Sequence, residues 1–185
     1  MPELPDVEVM RRYLESTALH KKIKDLEIKA DILVPSENTS DEKAVEELKT
    51  QTVGRSFEST RRHGKWLFAA LDGKGGQSFV FHFGMTGGLK YFKDMEDEPD
   101  YTRALFTFDN GYQLAYFSQR KLGELEVIDS VDQFIKDKDL GPDALDPDFD
   151  LDAFKEAVEG RRAMVKTTLM DQEIKAGIRN VYSDE

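Results

Sequence analysis

A chain of 185 residues with 39% hydrophobic and 34% charged side chains is long enough for one well-formed core and part of another, and no apolar run approaches the roughly 18 residues of a membrane span. It has no cysteine, which excludes disulfides and thiolate zinc sites, and His20, His63 and His82 lack metal-ligand spacing, so no metal is expected. The formal net charge of -11 argues against a nucleic-acid partner, since phosphate binding rewards Lys and Arg; the acids, however, concentrate at Asp94 to Glu98 and between Asp137 and Asp152, apart from a compact basic set of Arg55, Arg61, Arg62, His63 and Lys65.

The chain starts with acids at Glu3, Asp6 and Glu8 and lacks the basic-then-apolar layout of a secretory signal, so a cytoplasmic location is expected, or a nuclear one in a eukaryote. Val7, Met10, Leu14 and Ala18 recur at helical spacing, which predicts a helix from Asp6 to about Leu19, with Pro5 suited to its start and Met1 to Leu4 as a free arm. A strand follows at Ile23 to Lys29, then a short helix from Asp41 to Lys49 with Ala44, Val45 and Leu48 on one stripe. From Thr52 to Ile128 the period drops to two, predicting strands at Phe57 to Arg62, Lys65 to Leu71, Ser78 to Phe83, Leu89 to Phe92, Leu105 to Phe108, Tyr112 to Phe117 and Glu124 to Ile128. Turn signals at His63-Gly64, Gly75-Gly76, Gly87-Gly88 and Asp109-Asn110-Gly111 separate them, and short strands at this spacing predict a β-sandwich or barrel. Helical spacing returns at Val131 to Asp137, Leu151 to Glu159 and Val165 to Lys175. Leu140-Gly141-Pro142 and Asp146-Pro147 read as linker turns, and Gly177 to Glu185 as a helix start that stops abruptly, as a piece of a longer protein would.

Two residues at the start bear on chemistry. Loss of Met1 would leave Pro2 with a free secondary amine, and terminal amines titrate near ~8 against ~10 for lysine. Such an amine can attack a sugar C1′, expel the base and leave an iminium that makes adjacent C–O bonds labile. With Met1 attached, the Pro2 nitrogen is a tertiary amide and attacks nothing. Many chains begin Met-Pro without consequence, so position alone does not decide. Glu3 beside it fits a proton shuttle and equally an ordinary acid at a helix start.

Taken together, Pro2-Glu3-Leu4-Pro5-Asp6-Val7-Glu8, Arg61-Arg62-His63-Gly64-Lys65, His82-Phe83-Gly84-Met85-Thr86-Gly87, Arg120-Lys121-Leu122-Gly123, Leu140-Gly141-Pro142, Leu169-Met170-Asp171-Gln172 and Gly177-Ile178-Arg179-Asn180-Val181-Tyr182 resemble, in family order, the formamidopyrimidine-DNA glycosylases and their endonuclease VIII relatives. The resemblance spans the chain. It implies a mainly β fold with flanking helices: a two-sheet β-sandwich preceded by an N-terminal helix and followed by the first helices of a helix–two-turns–helix domain, divided as residues 1–130, a linker at 131–150, and 151–185.

The resemblance further implies Pro2 as nucleophile, Glu3 as its acid–base partner, and Asp6 as an acid where the family usually has glutamate. Lys65 looks like the family lysine that meets the phosphate beside the lesion, with Arg61, Arg62 and His63 of the same hairpin near the DNA backbone. Met85 resembles the side chain that fills the gap left by a flipped-out base, Arg120 the one that meets the orphan base, and Leu122 the wedge, since filling the void offsets a few kcal/mol of lost stacking. Leu122 stands where phenylalanine is common and Gln119 where proline is. Asn180 resembles the phosphate-gripping asparagine of a Gly-x-Gly-Asn turn whose second glycine is here Arg179; glycine there would permit close backbone approach, whereas an arginine either blocks it or adds a phosphate contact.

The implied function is a bifunctional glycosylase and AP lyase of base excision repair acting on double-stranded damaged DNA as a monomer, with oxidised purines favoured over pyrimidines through Pro2 to Pro5 and Met85. No cofactor is expected in the chain, and zinc only in a region beyond Glu185. A relative that binds damaged DNA without cutting it is the alternative that the acidic balance, Leu122 and Arg179 favour. An all-β interaction domain with an accidental Met-Pro start is the remote one.

Overall fold

The computed structural model describes residues 2–30, 33–35, 41–73, 75–159 and 164–184. The period-two runs form two antiparallel four-stranded sheets. One runs in the order β1 (Ile23–Ile28), β6 (Thr102–Phe108), β7 (Gln113–Phe117), β5 (Gly88–Phe92), the other β2 (Phe57–His63), β3 (Trp66–Leu71), β4 (Ser78–His82), β8 (Glu124–Ile128). This is a two-sheet sandwich rather than a closed barrel. Alternate side chains point between the sheets, where Phe57, Phe79, Phe81 and Phe106 are fully buried with ring centroids 4.8 to 6.2 Å apart. Burial of each such ring contributes about 1.5–3 kcal/mol.

Helices close the remaining faces. α1 (Leu4–Thr17) buries Val7 and Leu14 and packs against β2, β3 and β5. α2 (Asp41–Thr52) inserts Ala44 and Leu48. On the outer face of the second sheet, Phe134 of α3 (Val131–Asp137) sets its ring edge-on to Trp66 and Phe68, at 5.0 and 5.5 Å; α3 starts at Ser130, whose hydroxyl accepts the Gln133 amide. α4 (Leu151–Val158) is capped by Asp150, and α5 (Val165–Met170) follows. Among the described residues no helix is long and apolar enough to cross a membrane.

Two expectations are corrected. Residues 2–4 are not a free arm: α1 begins at Leu4, Glu3 is 1% exposed and Leu4 3%, and the Leu4 amide donates to the Gly177 carbonyl at 3.1 Å. Residues 180–184 are in turn conformation, with the Ser183 amide donating to the Arg179 carbonyl at 3.1 Å, the spacing of a first helical turn. The second correction is that α5 ends at Met170 instead of Lys175, where the Gln172 side chain takes over local backbone groups. Its Nε2 donates to the Met170 and Ile178 carbonyls at 2.8 Å, and its Oε1 accepts the Gly177 amide at 3.1 Å.

Candidate active site

The N-terminus lies against the 177–181 turn. The Glu3 carboxylate accepts the Arg179 amide on Oε2 and the Val181 amide on Oε1, both at 2.8 Å. Charge-assisted bonds of this kind are about twice as strong as neutral ones, so the carboxylate has a fixed position beside Pro2, which is itself half-buried. Close approach of the two segments requires Gly177, at φ 120°, because a Cβ there would sit 2.4 Å from Leu4 Cδ1. Asp6 lies in the first turn of α1, three residues after Glu3. It is exposed, and its Oδ2 accepts the Glu3 amide at 2.9 Å, a helix-capping bond that orients Glu3 through its backbone.

Lys65 comes from the two-residue turn between β2 and β3, whose register pairs His63 with Trp66 and Trp66 with His82. Gly64, at φ 54°, packs so tightly on Ala176 that a Cβ would lie 2.8 Å from the Ala176 Cβ, and this brings Lys65 to the same turn that holds Glu3. Burial pushes the Lys65 ammonium down to about 8; the Arg179 cation adds to the shift and Glu3 opposes it. His82 stacks on Trp66 at 4.3 Å. Burial, then Lys65, Arg179 and Lys138, push its imidazole down to about 4, so it is neutral at physiological pH, and its buried Nδ1 has no hydrogen-bond partner.

The other basic residues of the hairpin are engaged within the chain. Arg62 is corrected from a DNA-facing to a structural residue: its side chain is 8% exposed, both terminal nitrogens bond Asp143, whose side chain is 9% exposed, and Nε meets Glu8 at 3.3 Å. Two carboxylates outcompete solvent for a guanidinium that the fold has turned inward. Arg61 pairs with exposed Asp132 at 2.7 Å, and His63 Nε2 lies 2.8 Å from the Gly141 carbonyl. Asp143 also accepts the Gly64 and Leu145 amides at 2.6 and 2.9 Å, so the linker turn, the Lys65 hairpin and α1 share one ionic knot.

A second cluster lies where β4 leads into β5 and β7 into β8. Arg120 Nη1 lies 3.4 Å from Met85 Sδ, and the Arg120 amide donates to Thr86 Oγ1 at 3.2 Å. The two loops interlock through glycines: a Cβ at Gly84 would be 2.5 Å from the Leu122 carbonyl oxygen, and one at Gly123 1.8 Å from the Tyr116 hydroxyl. That packing brings Met85, Arg120 and Leu122 together and leaves Leu122 53% exposed. Asn180 is exposed in the turn beyond Arg179. Among the described residues, no group of three or more His, Asp or Glu side chains could hold a metal ion.

Residues 1–125 match the family model of the formamidopyrimidine-DNA glycosylase N-terminal domain, and residues 140–185 that of the formamidopyrimidine-DNA glycosylase H2TH domain. The chain belongs to the formamidopyrimidine-DNA glycosylase family. It is 33% identical over 187 aligned positions to the formamidopyrimidine-DNA glycosylase of Streptococcus mutans, covering 100% of this chain and 65% of that protein, and 35% identical over 191 positions to that of Nocardioides sp., covering 100% and 62%. Among solved structures, the Lactococcus lactis glycosylase in complex with abasic-site DNA superposes with a TM-score of 0.85 at 29% identity, covering 99% of this chain and 65% of that one. MutM in complex with DNA containing carbocyclic 8-oxo-G gives 0.86 at 28% identity, covering 100% and 66%. The chain thus spans just under two thirds of the length of these relatives.

Within this glycosylase framework the fold joins Glu3, Lys65 and the 177–181 turn in one place and Met85, Arg120 and Leu122 in another. It turns Arg62 inward onto Asp143 and Glu8 and sets Asp6 as the acceptor of the Glu3 amide. Sequence reasoning missed the parts that position the site: Asp143, hidden in an acidic run, Gln172, read only as part of a motif, and His82, weighed as a metal ligand and otherwise read only as part of a motif. The one signal for His82 was its place at the end of an apolar strand run, where a polar ring faces the hairpin that carries Lys65.

Proposed function

We propose that the protein is a DNA glycosylase with AP lyase activity that excises oxidised bases, purines before pyrimidines, from double-stranded DNA, acting as a cytoplasmic monomer in base excision repair. Met1, whose removal this chemistry requires, lies outside the described residues. The freed Pro2 nitrogen attacks C1′ of the damaged nucleotide, the C1′–base bond breaks and the base leaves with a proton; the C1′–O4′ bond then opens, O4′ takes a proton, and Pro2 and C1′ are left joined as an iminium. The resulting iminium acidifies the C2′ proton; its loss expels the 3′ phosphate, a second elimination expels the 5′ phosphate, and water releases the sugar remnant from Pro2. Glu3 moves protons during attack and elimination, Lys65 and Asn180 meet phosphates, and Arg61 and His63 border the backbone path. Met85 and Leu122 fill the vacated stack while Arg120 meets the unpaired base.

The observation that carries this reading is the buried Glu3 carboxylate, fixed by two amides at 2.8 Å beside Pro2, since a carboxylate immobilised next to a terminal amine is what proton transfer at that amine needs. The whole protein freed of Met1 is expected to nick a duplex carrying 8-oxoguanine, leaving phosphate on both sides of the gap, and to act more slowly on one carrying an oxidised pyrimidine. A mobility shift on both duplexes with no nicking of either would select the non-cutting relative instead.

A further inference from the structure

We propose that Gln172 is a positioning residue for proton transfer at Glu3: it grips the oxygen edge of the peptide between Ile178 and Arg179 and so aims the N–H of that peptide at the Glu3 carboxylate. The proposal rests on the glycosylase reading above, in which Glu3 moves the protons. A trans peptide is planar, with its carbonyl and its N–H on opposite edges. Here the Ile178 carbonyl accepts Gln172 Nε2 at 2.8 Å, and the Arg179 amide donates to Glu3 Oε2 at 2.8 Å. Rotation of this one peptide breaks both bonds. Before it in the turn, the Gly177 amide donates to Gln172 Oε1 at 3.1 Å, while the Gly177 carbonyl accepts the Leu4 amide at 3.1 Å. Gly177 sits at φ 120° and has no Cβ to restrict its backbone, so the shape of the turn is set from outside, by Gln172.

Gln172 works from a fixed base. Its own carbonyl accepts the Gly141 amide at 2.8 Å, and the Ala176 amide donates to the Pro142 carbonyl at 2.9 Å. Asp143 of the same linker is bonded to Arg62 and to the Gly64 amide, so the clamp stands on the hairpin that carries Lys65. The remaining Nε2 hydrogen goes to the Met170 carbonyl at 2.8 Å, and three bonds then fix the plane of the side-chain amide. Two contacts donated to carbonyls and one accepted from an N–H are what a carboxamide supplies. A carboxylate of the same size would face two carbonyls with an oxygen. The Val181 amide, which holds the other Glu3 oxygen at 2.8 Å, follows along the same turn. Proton transfer needs its groups held to within about 0.5 Å, and that precision comes to Glu3 through the turn.

The test is a double-substitution cycle on the whole protein freed of Met1. Excision from an 8-oxoguanine duplex is followed in single turnovers at saturating protein, so that differences in affinity drop out. Gln172→Met, which keeps the length of the side chain and removes its three bonds, is expected to lower the rate by about tenfold to 10²-fold. In a Glu3→Gln background the same change should cost little more, because the group it disturbs is already gone. Gln172→Glu at about pH 8, where an ordinary glutamate is ionised, keeps the acceptor for the Gly177 amide and loses both donors, and should fall as far as Gln172→Met. Melting curves place the assay below the transition of every variant, and Gln172→Glu takes the place of Gln172→Met in the cycle if the latter does not fold. A wild-type rate in Gln172→Met overturns the proposal alone. So does an equal loss in the two backgrounds, which would make Gln172 a general support of the fold, and so does a wild-type rate in Gln172→Glu, which would leave the Ile178 peptide without a part. A wild-type protein that excises nothing, or one no faster than Glu3→Gln, removes the underlying reading and this one with it.

Discussion

Glu3→Gln is expected to lower single-turnover excision by about 10²- to 10⁴-fold, the range that a positioned acid–base group contributes. The substitution keeps the size of the side chain and removes its capacity to take and return a proton. It also has a structural cost, because Glu3 accepts two amides, from Arg179 and Val181. Glutamine satisfies one through its carbonyl and sets an NH2 donor against the other, a penalty of about 1–3 kcal/mol. The rate and the melting temperature should therefore both fall, and Glu3→Asp separates the two effects. Aspartate keeps the charge but is one methylene shorter, so it should recover less of the docking of the 177–181 turn than of the proton-transfer chemistry. Rates measured at a temperature well below the melting point of every variant check this. Equal rates for wild type and Glu3→Gln would remove Glu3 from the chemistry.

The largest effect on stability is expected from Asp143→Ala. Removing one partner of a buried ion pair strands the other, at a cost of about 3–5 kcal/mol, and here Arg62 and Asp143 have side chains 8% and 9% exposed. The Gly64 amide loses its acceptor as well, so the hairpin that carries Lys65 loosens. For a chain of this size the melting temperature should drop by roughly 10 °C. The paired substitution of Arg62→Met with Asp143→Leu should recover much of the loss, because no uncompensated charge remains.

The same knot gives acid sensitivity a definite sign. Burial alone would raise the Asp143 carboxyl, but bonds from Arg62 and from the Gly64 and Leu145 amides outweigh it and hold it below the ordinary value. Arg11 first, with Arg12 and Arg62, takes Glu8 down to about 2. Groups depressed in the folded state contribute stability that is complete above their unfolded values near ~4 and is lost as pH falls through the folded ones. Wild-type stability should thus decline between about pH 4 and 2, with a shallower decline in Asp143→Ala.

These two residues also mark where sequence reading reached and where it stopped. The strands from Phe57 to Ile128 were legible because alternation of buried and exposed side chains is a local signal. β6 begins three residues before the predicted start because Tyr101, at φ 62°, ends the preceding turn and Thr102 already pairs with Phe117. Arg62 and Asp143 were each read by their neighbours, one as part of a basic patch and the other as part of a solvated acidic run. What joins them is a contact across 81 residues of chain, and nothing in either local pattern announces it. The N-terminal arm failed the same way: Glu3 finds its partners 176 and 178 residues later. The grouping of Met85, Arg120 and Leu122 was read through the family resemblance, and its physical basis, the interlocked glycines at 84 and 123, is a matter of packing.

The central claim is that the nitrogen of Pro2 bonds to the damaged nucleotide. Borohydride reduction of the whole protein, freed of Met1, on a duplex carrying 8-oxoguanine or an abasic site tests it most directly, with the adduct mapped by mass spectrometry of the amino-terminal peptide. The account predicts a reduced sugar adduct on Pro2 and its loss in Pro2→Gly. An adduct on any other amine, or none on either substrate, would contradict it.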